Sequence, residues 1–327
     1  MKLIPFPKVD LGFFPTPISE LTQLSKMLDG PDIFIKRDDL TGLAFGGNKT
    51  RKLEFIMSDA IEKQCDTVIT AGAAQSNHCR QTAAAAAQLG MACHLVLGGE
   101  EPNVVNGNLL LDNLLGAKVH WAGNHRKGED ISKVFEQLKA KGKNPYVVPY
   151  GGSNELGAYA FIHAMGELKQ QIDTHQFSHI VFASSSGGTH AGMVLGKTLL
   201  AETYELIGIA IDKEEMEGVS LNQFIPNLAN RTANVINEKI DITANKIVLN
   251  PNYIGDGYGV VGDPENEAIS LLAKYHGILL DPVYTGRAMA GLIDMIRSKQ
   301  LTKEDRVLFW HTGGSPALFA YANSIQS

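Results

Sequence analysis

The sequence predicts an α/β protein with doubly wound, mainly parallel open sheets. Apolar runs of strand length alternate with stretches of helical periodicity along most of the chain, which is the pattern of parallel sheets covered by helices. Several of the runs end in turns rich in glycine, serine and threonine just before a helical stretch, as βα connections do. With 327 residues and 44% hydrophobic residues, the chain is long enough for one large or two medium domains that each bury a core.

The predicted elements follow one another from the N-terminus. A first helix is expected after Pro15, with Thr16 as its N-cap, Pro17 as its first residue and Asp29-Gly30 as its end. Strands are predicted at 32–37, 66–72, 92–99, 117–123, 144–152, 179–188, 205–212, 246–250 and 306–314. Helices are predicted at 76–89, 130–141, 154–171, 189–201, 265–276 and 286–299.

Composition and charge exclude several classes of protein. The 29 Lys and Arg residues against 35 Asp and Glu residues leave no broad basic surface for nucleic acid or an anionic membrane. The first 15 residues lack the pattern of a signal peptide, and no apolar run reaches the roughly 20 residues of a membrane span. The cysteines, Cys65, Cys79 and Cys93, are too few and too irregularly spaced for a disulfide frame or a zinc site. We therefore expect a cytoplasmic enzyme-sized protein without a metal centre.

Two turns carry side chains suited to anions. In the first, at 70–83, Gln75, Ser76, Asn77 and His78 stand at a predicted helix start, where free N–H groups bind carboxylates or phosphates. The alternative is that Ser76 or Asn77 only caps the helix. The second turn, 183–192, reads ASSSGGTHAG, and a glycine turn with hydroxyls binds phosphate or merely caps a helix.

Two further turns are less specific. A strand that ends in Thr312 and two glycines precedes a helix, and Tyr284-Thr285 precede another helix. Such turns are common between strands and helices, and isolated tyrosines are more often packing residues than catalysts. The basic turn at 44–55, AFGGNKTRKLEF, gathers Lys49, Arg51 and Lys52, which alone is typical of a solvated helix start.

Taken in order, these segments resemble the pyridoxal-phosphate enzymes of the tryptophan-synthase β-subunit fold, within the group of D-cysteine desulfhydrase and aminocyclopropane-carboxylate deaminase. The resemblance spans nearly the whole chain and is most specific at the first two of its motifs. The motifs are FGGNKTRKLE at 45–54, QSNHCRQTAA at 75–84, SSGGTHAG at 185–192, DPVYTGRAM at 281–289 and HTGGSPALF at 311–319.

The resemblance implies roles for particular residues. Lys49 matches the lysine that forms a Schiff base with the cofactor and serves as the base, and Asn77 matches the asparagine beside the cofactor's phenolic oxygen. The phosphate-binding positions match Lys52, Ser186, Gly187, Gly188 and Thr189. The substrate carboxylate is expected at Gln75, Ser76, Asn77 and His78. The active-site tyrosines match Tyr258 and Tyr284, and with Lys49 and Ser76 they form the predicted catalytic set.

The residue types agree with this chemistry. A lysine condenses with an aldehyde only when some of its amine is unprotonated, and the neighbouring cations Arg51 and Lys52, with partial desolvation, favour the neutral amine of Lys49. The family also implies two open sheets, in a large domain of 1–52 and 166–327 and a small inserted domain of 53–165, with the cofactor in the cleft between them.

Two cofactor-facing positions distinguish members of the group. Deaminases typically carry Glu after the DPVY tyrosine and Leu after the last strand, whereas this chain has Thr285 and Thr312. Threonine supplies no charge to the ring nitrogen, which suits expulsion of a good leaving group such as sulfide better than opening of a cyclopropane. The sequence therefore predicts α,β-elimination of D-cysteine to pyruvate, ammonia and hydrogen sulfide.

Three alternatives remain at this point. An L-cysteate lyase and an aminocyclopropane-carboxylate deaminase belong to the same group. A catalytically idle pyridoxal-phosphate-binding protein belongs to a different functional class. The expected partner is a small amino-acid substrate, with no nucleic acid or membrane, and proteins of this group are usually homodimers.

Overall fold

The computed structural model describes residues 6–125, 128–212 and 215–325. Its strands are β1 Ile18–Glu20, β2 Asp32–Arg37, β3 Thr67–Ala73, β4 Ala92–Gly98, β5 Lys118–Trp121, β6 Pro145–Val147, β7 His179–Ser184, β8 Glu205–Ala210, β9 Glu215–Met216, β10 Val219–Ser220, β11 Val248–Asn250 and β12 Arg306–His311. Its helices are α1 Thr22–Leu28, α2 Lys49–Glu62, α3 Asn77–Gln88, α4 Gly107–Leu114, α5 Ile131–Ala140, α6 Glu155–Gln171, α7 Gly188–Leu199, α8 Leu221–Val235, α9 Asp263–His276, α10 Thr285–Arg297 and α11 Ala317–Ala320.

The larger sheet has the strand order β1-β2-β12-β7-β8-β11. All of its pairs are parallel except β1 with β2. Strand β12 lies between β2 and β7, so segments from both ends of the chain build this sheet. Alternate residues of β12 enter different cores, Val307 and Phe309 on one face and Leu308 and Trp310 on the other, because helices cover both faces.

The smaller sheet has the order β5-β4-β3-β6 and is parallel throughout. Val68, Leu95 and Leu97 are fully buried in its core, where they meet the small side chains of α3. Ala83, Ala85 and Ala86 of that helix are fully buried. Short side chains let α3 lie close to the sheet, and this closeness fixes the position of its N-terminus.

The predicted fold class, doubly wound α/β with mainly parallel open sheets, is confirmed. The predicted start of the first helix is wrong: 18–20 form an edge strand paired with β2, and the helix begins only at Thr22. Backbone hydrogen bonds to β2 outweigh the helical spacing of the apolar residues there. The strands predicted at 144–152 and 306–314 are too long, since they end at Val147 and His311 and the glycines after them adopt left-handed φ angles.

The sequence patterns did not predict α4 or α8. Helix α8 contains Pro226, which normally argues against a helix interior, and α4 exposes Leu110 and Leu114, which blurs its periodicity. The domain division at 53–165 stays a prediction. Within the described ranges, no helix has the length and apolar content that crossing a bilayer would require.

Candidate active site

One cleft is lined by residues of both sheets. They follow the carboxyl ends of β3, β7 and β12, where ligands collect in open parallel sheets, and they include the start of α2. The lining residues that the chemistry concerns are Asn48, Lys49, Ser76, Asn77, His78, Tyr150, Gly151, Ser185, Ser186, Gly187, Thr189, His190, Tyr284 and Thr312. Of the predicted site residues, Lys52, Gln75, Gly188, Tyr258 and Thr285 lie outside this lining.

Two lysines meet at a single carbonyl. Lys49 is the first residue of α2, and its Nζ donates to the Gly151 carbonyl oxygen at 3.1 Å. Lys52, one turn further on, is fully buried and donates to the same oxygen at 3.1 Å. Burial and then the nearby charge of Lys49 hold the pKa of Lys52 well below its ordinary value. No carboxylate within the described ranges forms an ion pair with Lys52, so a bound anion would be its natural partner.

The start of α7 offers a second set of donors. Gly187, just before the helix, has φ +79°, and a Cβ there would lie 2.9 Å from the Phe224 ring. The first backbone N–H groups of the helix have no helical partners, and the Gly188 N–H donates to Ser153 Oγ at 3.1 Å. The Ser153 hydroxyl in turn donates to Ser186 Oγ at 2.8 Å. Hydroxyls and backbone donors thus converge where a phosphate would bind.

The turn between β6 and α6 closes the cleft and was missed by the sequence patterns, which assigned it to a strand. Gly151 has φ +63°, and a Cβ on it would lie 2.2 Å from Ser186 Oγ. Only glycine therefore lets this carbonyl approach both lysines. The signal was present in the sequence as Gly-Gly-Ser-Asn, because Asn154 caps α6 by accepting from the Gly157 N–H at 2.9 Å.

The start of α3 carries the predicted carboxylate-binding residues. Ser76 is the N-cap, and its Oγ accepts from the Cys79 N–H at 3.2 Å while the residue also lines the cleft. Burial, followed by the charges of Lys49 and Lys52, lowers the pKa of His78 well below its usual value, so the ring is neutral. Gln75 turns away, because its Oε1 accepts from the Asn108 N–H at 2.8 Å.

The predicted tyrosines lie together. Tyr284 lines the cleft, and its hydroxyl is 3.0 Å from that of Tyr258. Burial raises the pKa of both phenols well above the ordinary value, so both are protonated. The loop that carries Tyr258 is held by the buried guanidinium of Arg287, which donates to the carbonyls of Gly257 at 3.2 Å and Val260 at 2.9 Å.

The two distinguishing threonines differ in their surroundings. Thr312 lines the cleft. Thr285 is fully buried, and its hydroxyl accepts from the Asp281 N–H and donates to Asp281 Oδ1, both at 2.8 Å. The Asp281 carboxylate also accepts the N–H groups of Val283, Tyr284 and Thr285 and thereby begins α10. The sequence patterns missed Asp281 as the residue that organises this turn.

The donors of the cleft fit a phosphate ester that also carries an aldehyde. Lys49 supplies an amine, and Ser186 and the start of α7 supply donors that a phosphate would accept from, with the charge of the buried Lys52 close behind. A model of the family described as pyridoxal-phosphate dependent enzymes matches residues 9–313. The chain belongs to this family. Pyridoxal 5'-phosphate is its cofactor. Lys49 would hold its aldehyde, and the α7 turn would hold its phosphate.

Similar proteins extend the comparison. A D-cysteine desulfhydrase of Klebsiella pneumoniae (strain 342) is 45% identical, with 97% of this chain and 96% of that protein covered. The crystal structure of an ACC deaminase homologue superposes with a TM-score of 0.90 at 37% identity, covering 98% of this chain and 95% of that one. A threonine deaminase isoform 2 from Solanum lycopersicum shares the fold, with a TM-score of 0.66, 19% identity, and 95% and 82% coverage.

Proposed function

We propose that the protein is a D-cysteine desulfhydrase, which converts D-cysteine and water to pyruvate, ammonia and hydrogen sulfide. The observation that carries this proposal is the 45% identity to a D-cysteine desulfhydrase over nearly the whole chain. The cleft agrees with it, because Thr312 lines the cleft and offers a hydroxyl rather than a charge. Expulsion of a thiol needs less electron withdrawal than opening of a cyclopropane ring.

The residues of the cleft have different roles in the proposed reaction. When bound, pyridoxal phosphate supplies an aldehyde for the substrate amine and an electron sink that makes the Cα proton acidic. Lys49 is the base that takes this proton, since its amine lies in the cleft. Ser76 and the first N–H groups of α3 bind the substrate carboxylate, and the side-chain amide of Asn77 lies beside the cofactor's phenolic oxygen. Tyr284, hydrogen-bonded to Tyr258, holds a proton for the departing sulfur.

A substrate panel tests the proposal. We expect pyruvate and sulfide from D-cysteine, and pyruvate from β-chloro-D-alanine, in a lactate-dehydrogenase-coupled assay. L-cysteine, L-cysteate and aminocyclopropane carboxylate serve as comparison substrates in the same assay. Pyruvate from L-cysteate alone would identify an L-cysteate lyase instead. Formation of 2-oxobutyrate from aminocyclopropane carboxylate would identify a deaminase. Bound cofactor without product from any of the five amino acids would identify a catalytically idle protein.

Replacement of Tyr284 by phenylalanine tests the proton donor. We expect kcat with D-cysteine to fall roughly 100-fold or more, because a positioned general acid contributes about 10²- to 10⁴-fold. With β-chloro-D-alanine the loss should be within about threefold, since chloride leaves without a proton. Tyr275→Phe, a change of the same kind outside the cleft lining, is the control. Equal losses with both substrates would assign Tyr284 to packing instead.

We also propose a cytoplasmic homodimer, in agreement with the family and with the composition of the chain. The support from the structure is a group of large apolar side chains that are mostly exposed in the single chain: Phe13 76%, Phe45 65%, Leu114 74% and Phe319 72%. A subunit contact that covered these side chains would remove their apolar surface from water. Sedimentation of the purified protein measures the subunit number directly.

A further inference from the structure

The amide of Asn77 is held by a buried network behind the cleft. Its Oδ1 accepts from Asn108 Nδ2 at 2.8 Å and from Arg80 Nη1 at 3.2 Å. Arg80 and Asn108 are both fully buried, and neither lines the cleft. The same guanidinium donates through Nη2 to the Gly46 carbonyl at 2.7 Å, in the loop that leads to Lys49. One cation therefore ties together the loop before the lysine and the start of α3.

The guanidinium fixes the orientation of both asparagines. Oxygen and nitrogen of an amide are nearly interchangeable in shape, but a guanidinium has only donors. The atom of Asn108 that lies 2.6 Å from Arg80 Nη1 must therefore be its oxygen. Its nitrogen then faces the backbone carbonyl of Gln75, which can only accept, and the side chain of Asn77. The atom of Asn77 that faces this nitrogen must be oxygen.

The side-chain nitrogen of Asn77 can consequently donate to a ligand in the cleft, which Asn77 lines. It lies beside Gly314 in the turn after β12, where a Cβ on that glycine would come within 2.7 Å of it. With Oδ1 committed to two interior donors, only N–H groups of this side chain are available to a ligand. A hydrogen-bond donor stabilises an anionic oxygen, whereas an acceptor in the same place would repel it.

We propose that Arg80 and Asn108 are positioning residues that hold Asn77 as a hydrogen-bond donor to the cofactor's phenolic oxygen. This inference rests on the proposed placement of Asn77 beside that oxygen and not on which amino acid is the substrate. The network is energetically demanding. Burial lowers the pKa of Arg80 to about 10, and its Nε has no hydrogen-bond partner among the described residues. Burying a cation that forms no ion pair among the described residues destabilises the fold. The donors of this guanidinium nevertheless fix the orientation of the two neighbouring amides.

A double-mutant cycle without substrate tests the inference. The measurement is the pH midpoint of the visible absorption band of the holoprotein, with its melting temperature recorded alongside. Asn77→Ala should raise the midpoint by about 1 pH unit, because the oxygen that loses its donor becomes more basic. Asn108→Asp keeps the contact with Arg80 but turns an oxygen towards Asn77 Oδ1, so we expect a rise of similar size. The double variant should rise no further than Asn77→Ala alone, since both changes act through one amide.

The control separates positioning from added charge. Asn106→Asp introduces the same charge at the N-cap of α4, where the native amide donates to the Phe319 carbonyl and not to Asn77, and should leave the midpoint within about 0.2 pH unit. Should Asn108→Asp not fold, Arg80→Lys takes its place in the cycle, because it keeps the charge and loses the forked geometry. No shift in either variant, or shifts that add fully to that of Asn77→Ala, would overturn the inference. Absence of activity towards D-cysteine would overturn only the proposed function.

Discussion

Replacing Lys49 by alanine is expected to lower the rate of pyruvate formation from D-cysteine roughly 10⁴-fold. On the proposed mechanism, the change removes the amine that holds the cofactor aldehyde and the base that takes the Cα proton. Lys52 is not a substitute, because it is fully buried behind the Gly151 carbonyl rather than in the cleft lining. The coupled pyruvate assay measures the rate, and borohydride reduction followed by mass spectrometry of peptides locates the cofactor.

Lys63→Ala is the matched control for this variant. Lys63 follows α2 directly, and its side chain is 60% exposed and paired with Asp59. We expect wild-type activity and a cofactor still fixed on Lys49 by borohydride. If Lys49→Ala protein still retained cofactor after borohydride and released sulfide, Lys49 would be neither the anchor nor the base.

The second large effect concerns stability. Arg51→Ala is expected to lower the free energy of unfolding by about 3–5 kcal/mol, because it removes the cation paired with the buried Asp38 and one of the two cations paired with Glu167. The Arg51 guanidinium donates to both oxygens of Asp38, at 2.9 and 2.8 Å, and to both oxygens of Glu167, at 2.8 and 2.9 Å. Asp38 is fully buried, so water cannot replace the lost contacts. Urea unfolding of the cofactor-free protein measures the change.

Arg297→Ala provides the control for that measurement. Its ion pair with Glu267 has half-exposed partners, 52% and 42%, and exposed pairs contribute about 1 kcal/mol or less. Equal losses for the two arginine variants would contradict the assignment of Arg51 to a stabilising buried cluster.

The same cluster makes stability depend on pH. Burial alone would raise the pKa of Glu167, but hydrogen bonds and charge from Arg51 and Lys36 outweigh it and lower the pKa to about 2. A carboxyl with a depressed pKa in the folded state stabilises the fold above its unfolded value of about 4.5, and this contribution is lost as the pH falls towards 2. As the pH falls from about 4.5 towards 2, the free energy of unfolding should therefore decrease less in Arg51→Ala than in the unchanged protein.

Arg51 also shows where sequence reasoning stops. In the turn AFGGNKTRKLEF, the sequence alone does not assign different surroundings to its three cations. It leaves Arg51 either exposed or paired with a carboxylate. The structure selects the pair, and its two partners lie 13 and 116 residues away in the chain, at positions 38 and 167. Such a contact depends on how α2 and α6 pack, which no local pattern encodes.

Local patterns determined the alternation of strands and helices and the glycine turns at the carboxyl ends of strands. These features depend on spacing of a few residues, so they can be read along the chain. Only the tertiary structure placed the Gly151 carbonyl between two lysines, Thr312 rather than Thr285 in the cleft, and Asn108 behind Asn77. Each of these contacts joins segments that are distant in sequence, and their geometry is set by the packing of helices against the two sheets.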